Sequence, residues 1–188
     1  MLSYVLSFLL LVASVFGNVR IVPVKSVEDI DLVQGKDVLV RSFMRGYEDV
    51  PLVDLSPEFK SIGDVRRFYE NYFDSELEHY KHGKLIWVQA FEGEKLLGWA
   101  TFELETEGAA YMNLLAVDPD EWNRGVGKQL TFCIQDLYPN VHEIRLLIRK
   151  INEGGRKFYE RIGFSDFEYS RENFVDVSLL TGLKWVEN

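Results

Sequence analysis

The stretch Leu114-Leu-Ala-Val-Asp-Pro-Asp-Glu-Trp-Asn-Arg-Gly-Val-Gly-Lys-Gln-Leu130 joins an apolar strand to a helix through a glycine-bearing turn. A junction of this kind can hold an anion. Glycines let the backbone approach closely, and the first N–H groups of the helix, with its dipole, face the negative charge. Arg124 and Lys128 add formal positive charge at the same place. Two familiar phosphate patterns do not fit. A Walker loop needs an upstream Gly and a Ser or Thr after its Lys, but Gln129 follows Lys128. A dinucleotide fingerprint needs a third Gly where Leu130 stands. Taken alone, Gly125-Val-Gly127 is equally compatible with a turn that binds nothing.

A second stretch, Asn152-Glu-Gly-Gly-Arg-Lys-Phe-Tyr-Glu-Arg-Ile-Gly-Phe164, follows the next strand. The two segments together resemble the GNAT acetyltransferase family. Its acyl-CoA motif reads Val-x-Pro, then Arg or Gln-x-x-Gly-x-Gly, and its later helix reads Asn-x-x-Ala-x-x-Phe-Tyr-Glu-Lys-x-Gly-Phe. Val117, Pro119, Gly125 and Gly127 match the first, and Asn152, Phe158, Tyr159, Glu160, Gly163 and Phe164 match the second. The resemblance implies acetyl-CoA as co-substrate, with no metal. It implies that the strand Leu115-Ala116-Val117 offers backbone groups to the pantetheine arm. The turn Asn123-Arg124-Gly125-Val126-Gly127-Lys128 would hold the pyrophosphate, Asn152 would bond the pantetheine, and Tyr159 would point its hydroxyl at the thioester sulfur. Two positions depart from the family. Trp122 stands where Arg or Gln normally helps hold pyrophosphate, leaving Arg124 and Lys128 to compensate, and Gly155 replaces an Ala.

Acyl transfer to an amine needs a neutral nitrogen and a protonated leaving thiolate. A lysine-like amine has a pKa near 10.4 and must first lose a proton; a phenol near 10 can donate to a thiolate whose acid is near 8.5. Tyr159 therefore suits the general acid, while its neighbour Phe158 reads as packing. For the base, Glu103 and Glu105 near the end of a central strand are candidates, as is water held by Asn113. All three are also compatible with ordinary solvent-facing side chains.

These residues need a scaffold. Val19–Val24 reads as a first strand, with its Pro at an edge or end. Helical spacing predicts helices over Asp37–Glu48 and Ser61–Tyr80, separated by the turn-rich Asp49–Phe59. Leu85–Phe91 and Leu96–Leu104 flank Glu92-Gly-Glu-Lys95 as a hairpin, and Ala109–Val117 is a third strand. A helix over Gly125–Leu137, a strand over Glu143–Ile148, a helix over Gly155–Ile162 and two final strands from Phe164 complete the order. The expected architecture is α/β (α+β): a central mixed, mostly antiparallel sheet of about seven strands flanked by four helices.

The 188 residues and 47% hydrophobic content suit one domain. A net charge of −9 argues against nucleic acid and favours a cationic partner, here an amine-bearing small molecule or protein. The single cysteine, Cys133, falls on an apolar helical stripe and reads as core. His79 and His82 lack partners for a metal and read as solvated helix-end residues. Residues 1–17 carry no charged side chain and contain a continuous apolar run, so a signal peptide or N-terminal hydrophobic anchor is expected there, with residues 18–188 as the enzyme domain. Contact with a membrane would be through that segment only, and the protein would be exported or anchored if it is a true signal and cytoplasmic otherwise. A homodimer is also among the expectations. The alternative to an enzyme is a non-catalytic acyl-CoA-binding or protein-interaction module on the same fold.

Overall fold

The computed structural model describes residues 18–105, 108–168 and 180–187. Residues 1–17, the expected signal or anchor, lie outside them. Along the chain run β1 (Val19–Pro23), α1 (Leu32–Gly46), α2 (Leu52–Leu55), α3 (Ile62–Lys81), β2 (Ile86–Glu92), β3 (Lys95–Leu104), β4 (Ala109–Val117), α4 (Val126–Leu137), β5 (Glu143–Arg149), α5 (Glu153–Arg161), β6 (Ser165–Phe167) and β7 (Leu180–Val186). They build one seven-stranded sheet in the order β1-β2-β3-β4-β5-β7-β6. Every pairing is antiparallel except that of β4 with β5.

The expected strands are present, but the helical regions differ in two places: where α1 starts, and an added short helix. α1 begins at Leu32, not Asp37, because the Asp31 carboxylate accepts the Gln34 N–H at 2.9 Å and starts the helix a turn earlier. Gly35, a poor helix former, is tolerated there for the close approach it permits. Its carbonyl accepts the Trp99 indole N–H at 2.9 Å, and a Cβ on it would lie 3.0 Å from the Phe73 ring. The stretch expected as turns holds a one-turn α2 after Pro51, a short addition to the four expected helices among the described residues. α3 opens where expected, on a reciprocal cap between Ser61 and Asp64.

The sheet separates two apolar layers. On one face α4 and α5 cover Val88, Ala100, Phe102, Ile144 and Leu183, with Leu130, Ile134 and Cys133 pointing inward. On the other, α1 and α3 cover Trp87 and Trp99, whose rings stack at 4.5 Å with Phe73 edge-on to both. Cys133 is buried and its Sγ–H donates to the Leu130 carbonyl at 3.1 Å. His79 and His82 are exposed.

β4 and β5 pair only from Ala109↔Glu143 to Tyr111↔Arg145. Beyond Tyr111, β4 continues along β3 while β5 continues along β7. The two central strands therefore splay, and β4 beyond Tyr111 faces an open wedge. A bulge adds to the divergence: Thr101 pairs with Leu114 and Phe102 with Met112, leaving Asn113 as the extra residue.

Candidate active site

The wedge collects most of the expected residues along its β4 wall. The Asp118 N–H reaches Leu97 O at 2.8 Å in a pairing where Val117 lies opposite Gly98. In an antiparallel ladder this turns the N–H and C=O of Val117, and of Leu115 two residues earlier, away from β3 and into the wedge. Ala116 lies between them with its backbone turned to Trp99 and its methyl in the core, so it offers the wedge nothing. At the mouth, Asn123 (φ 64°) and Gly125 (φ 82°) take left-handed backbone conformations that bend the chain into α4. No side chain caps α4, so its first N–H groups are available to a ligand. Gly127 is used differently: a Cβ there would lie 3.1 Å from the Phe158 ring, so this glycine lets α5 pack close to α4.

The charges around the turn are not arranged as the sequence suggests. Arg124 is bound to Glu92 at 2.8 Å and to Glu121, so it is not a spare cation. Lys95 is held by Glu121 at 2.6 Å, and Arg41 by Asp118 at 3.0 Å and Asp120 at 2.6 Å. Lys128 is exposed and forms no ion pair among the described residues. Trp122, 39% exposed, donates its indole N–H to the Val117 carbonyl at 2.9 Å. The residue standing in the pyrophosphate position thus closes the end of β4 from within. An acyl-CoA still fits this wall through the inward-facing groups of Leu115, the Val117 N–H, the uncapped start of α4 and Lys128.

Asn152 caps α5, its side-chain oxygen accepting the Gly155 N–H at 2.8 Å. Gly155 is what allows this, since a Cβ there would lie 2.8 Å from the Asn152 carboxamide. The exchange of Ala for Gly is therefore coupled to how Asn152 is held, and is not merely a loss of helix propensity.

Tyr159 enters from α5, its ring packed on Phe158 and Phe164. Burial, reinforced by Tyr111 of β4 and by Tyr47 just after α1, pushes its phenol above the usual range. It is fully protonated at neutral pH, as a proton donor must be. Tyr47 is also raised by burial, against the pull of the Arg149 guanidinium 5.9 Å from its ring centroid. On the α1–α3 side of the wedge the expected bases diverge. Glu105 is bound to Arg145 at 3.1 Å where β4 and β5 still pair. Glu103, opposite Tyr111, accepts the Asn113 amide at 2.8 Å, so the bulge and the carboxylate belong to one arrangement.

Sequence reasoning missed the carboxylate that α3 turns toward β3. Tyr69, Tyr72 and Glu76 all turn toward the sheet, and Glu76 is only 4% exposed. The signal was a lone Glu placed three and four residues from Phe73 and Tyr72 on an otherwise apolar stripe.

The site is thus a splayed parallel pair in a mostly antiparallel sheet, with an uncapped helix start at its mouth and a half-buried phenol from α5 packed beside it. The acetyltransferase (GNAT) family matches residues 51–164, and the chain belongs to that family, whose chemistry is acyl transfer. No curated protein matches it in sequence. Among solved structures, it is similar to the PaiA N-acetyltransferase of Thermoplasma acidophilum in complex with coenzyme A: 19% identity, 89% of this chain and 98% of that one covered, TM-score 0.67. An acetyltransferase from Streptococcus agalactiae is 15% identical, with 91% and 99% coverage and a TM-score of 0.63. The ribosomal-protein-S18-alanine N-acetyltransferase of Escherichia coli is 18% identical, with 89% and 93% coverage and a TM-score of 0.58. At these identities the likeness is one of fold.

Proposed function

We propose that the protein moves an acetyl group from acetyl-CoA directly to a primary amine of a small molecule or protein. The observation that carries this reading is the wedge, with backbone groups of β4 along its wall, the uncapped start of α4 at its mouth and the half-buried Tyr159 of α5 close enough to Tyr111 of β4 to feel it. Bound there, acetyl-CoA supplies an activated thioester carbonyl. Glu103 takes a proton from the acceptor ammonium. Tyr159 gives its proton to the departing sulfur as the C–N bond forms and the C–S bond breaks, and regains one from the nitrogen by way of solvent. Direct transfer is supported by Cys133, whose thiol is buried and pushed up to about 12, which leaves it a poor nucleophile.

A second reading, a non-catalytic acyl-CoA-binding or interaction module, is favoured by two observations: Trp122 occupies the Val117 carbonyl, and Arg124 is neutralised by Glu92 and Glu121. A thiol-release assay with acetyl-CoA against amines, polyamines, amino acids and peptides separates the two. Amine-dependent release supports the enzyme; acetyl-CoA binding without release supports the module.

A further inference from the structure

Glu76 is a charged side chain buried in an aromatic layer, and nothing in the mechanism above uses it. It lies on the sheet-facing side of α3, and its carboxylate accepts the hydroxyl of Thr101, itself fully buried on β3, at 2.6 Å. Glu103, the base, is two residues further along β3 and so on the same face. The charged and titratable groups around Glu76 are Glu103 from β3, Tyr72 from its own helix and, beyond Tyr72, Tyr111 from β4. The α1 cation packed against α3, Lys36, is held by Asp74 at 2.7 Å. No described cation pairs with Glu76. Burying a carboxylate without a cation is costly unless its proton can be taken up in place.

We propose that Glu76 and Glu103 act as one carboxylate pair that stores a single proton, so that the first proton lost by the acceptor ammonium passes to Glu103 and is kept by Glu76. The inference rests on the N-acetyltransferase reading. The nitrogen loses two protons in all. The first enters the pair, the second replaces the proton Tyr159 gives to sulfur, and the stored proton leaves to solvent after turnover. Burial, with the negative charge of Glu103 adding, pushes the Glu76 carboxyl up to about 7 against the opposing hydrogen bond from Thr101. A base with that proton affinity is matched to work near neutrality, as an ordinary exposed glutamate is not.

The test uses Glu76→Gln, which keeps the side-chain shape and an oxygen to accept the Thr101 hydroxyl. In wild type, kcat/KM for the amine should fall on the acid side with a limb near pH 7. In Glu76→Gln that limb should move to lower pH, and the plateau should drop by about tenfold or more, with acetyl-CoA affinity unchanged. Glu76→Asp should restore the limb. Thr101→Val removes a bond that favours the ionised form, and should move the limb to higher pH. A second readout needs no turnover: NMR of isotope-labelled glutamate carboxyls should show one titrating near pH 7, absent in Glu76→Gln and shifted to lower pH in Glu103→Gln. A folded Glu76→Gln with an unmoved limb, or no carboxyl titrating above the ordinary range, overturns the pair while leaving the transferase reading intact. Failure of the wild type to acetylate any amine brings both down.

Discussion

At the residue scale the account depends on one hydroxyl. Tyr159→Phe keeps the ring on Phe158 and Phe164 and removes only the donor, so stability and acetyl-CoA affinity should stay near wild type. Positioned general acids contribute about 10²–10⁴-fold, and kcat should fall by that order with every good acceptor, measured by single-turnover kinetics. A folded variant with full transfer would assign the proton to water or the backbone. Tyr159 was legible because it sits in a motif of fixed spacing. Glu76 was not, because its meaning depends on Thr101 and Glu103, 25 and 27 positions away on another element. Nor could the sequence reveal that Arg124 is already bound to Glu92 and Glu121, or that the Trp122 indole has a carbonyl to cap.

At the element scale the strand-to-helix turn decides binding. Gly125 has φ 82°, a conformation that costs a β-branched residue about 1–2 kcal/mol, yet a Cβ there meets nothing within 4 Å. Gly125→Val should therefore fold, somewhat less stably, and weaken acetyl-CoA binding by about tenfold or more in calorimetry, because backbone approach is blocked. Unchanged affinity would move the site away from this turn. Glu92→Gln tests the opposite sign. Releasing one of the two carboxylates on Arg124 should strengthen acetyl-CoA binding, most clearly at low salt. The near-continuous apolar runs of β2 to β4, the alternation of β5 and the helical stripe of α4 made these elements legible. The wedge was not, since it is defined by where β4 stops pairing with β5, and no local pattern encodes that. The start of α1 was missed because Gly35 looks like a loop residue until Trp99 and Phe73 are placed against it.

At the scale of the whole molecule, two layers of core lie on a sheet that already begins at Val19. We propose that residues 1–17 are a signal or anchor outside this domain, so the chain from Asn18 to Asn188 should express as soluble protein with one cooperative unfolding transition. Aggregation relieved only by restoring residues 1–17 would make them part of the fold. The buried Glu76 also gives stability a pH dependence. Its carboxyl is near 4.5 when unfolded and raised to about 7 when folded. The folded state then holds a proton that the unfolded chain has lost, and stability falls as pH rises between those values, by about 3 kcal/mol at most. Denaturant titrations should show this decline in wild type and its absence in Glu76→Gln, which should be the more stable protein above pH 7.

The central claim, direct acyl transfer within the β4–β5 wedge, is tested most directly by a rapid-quench single turnover of acetyl-labelled CoA with excess protein and a reactive amine. Label should pass from CoA to the amine nitrogen at the rate of free-thiol appearance, with none on the protein at any time. Label accumulating on the protein, or released as acetate without reaching the amine, would contradict it.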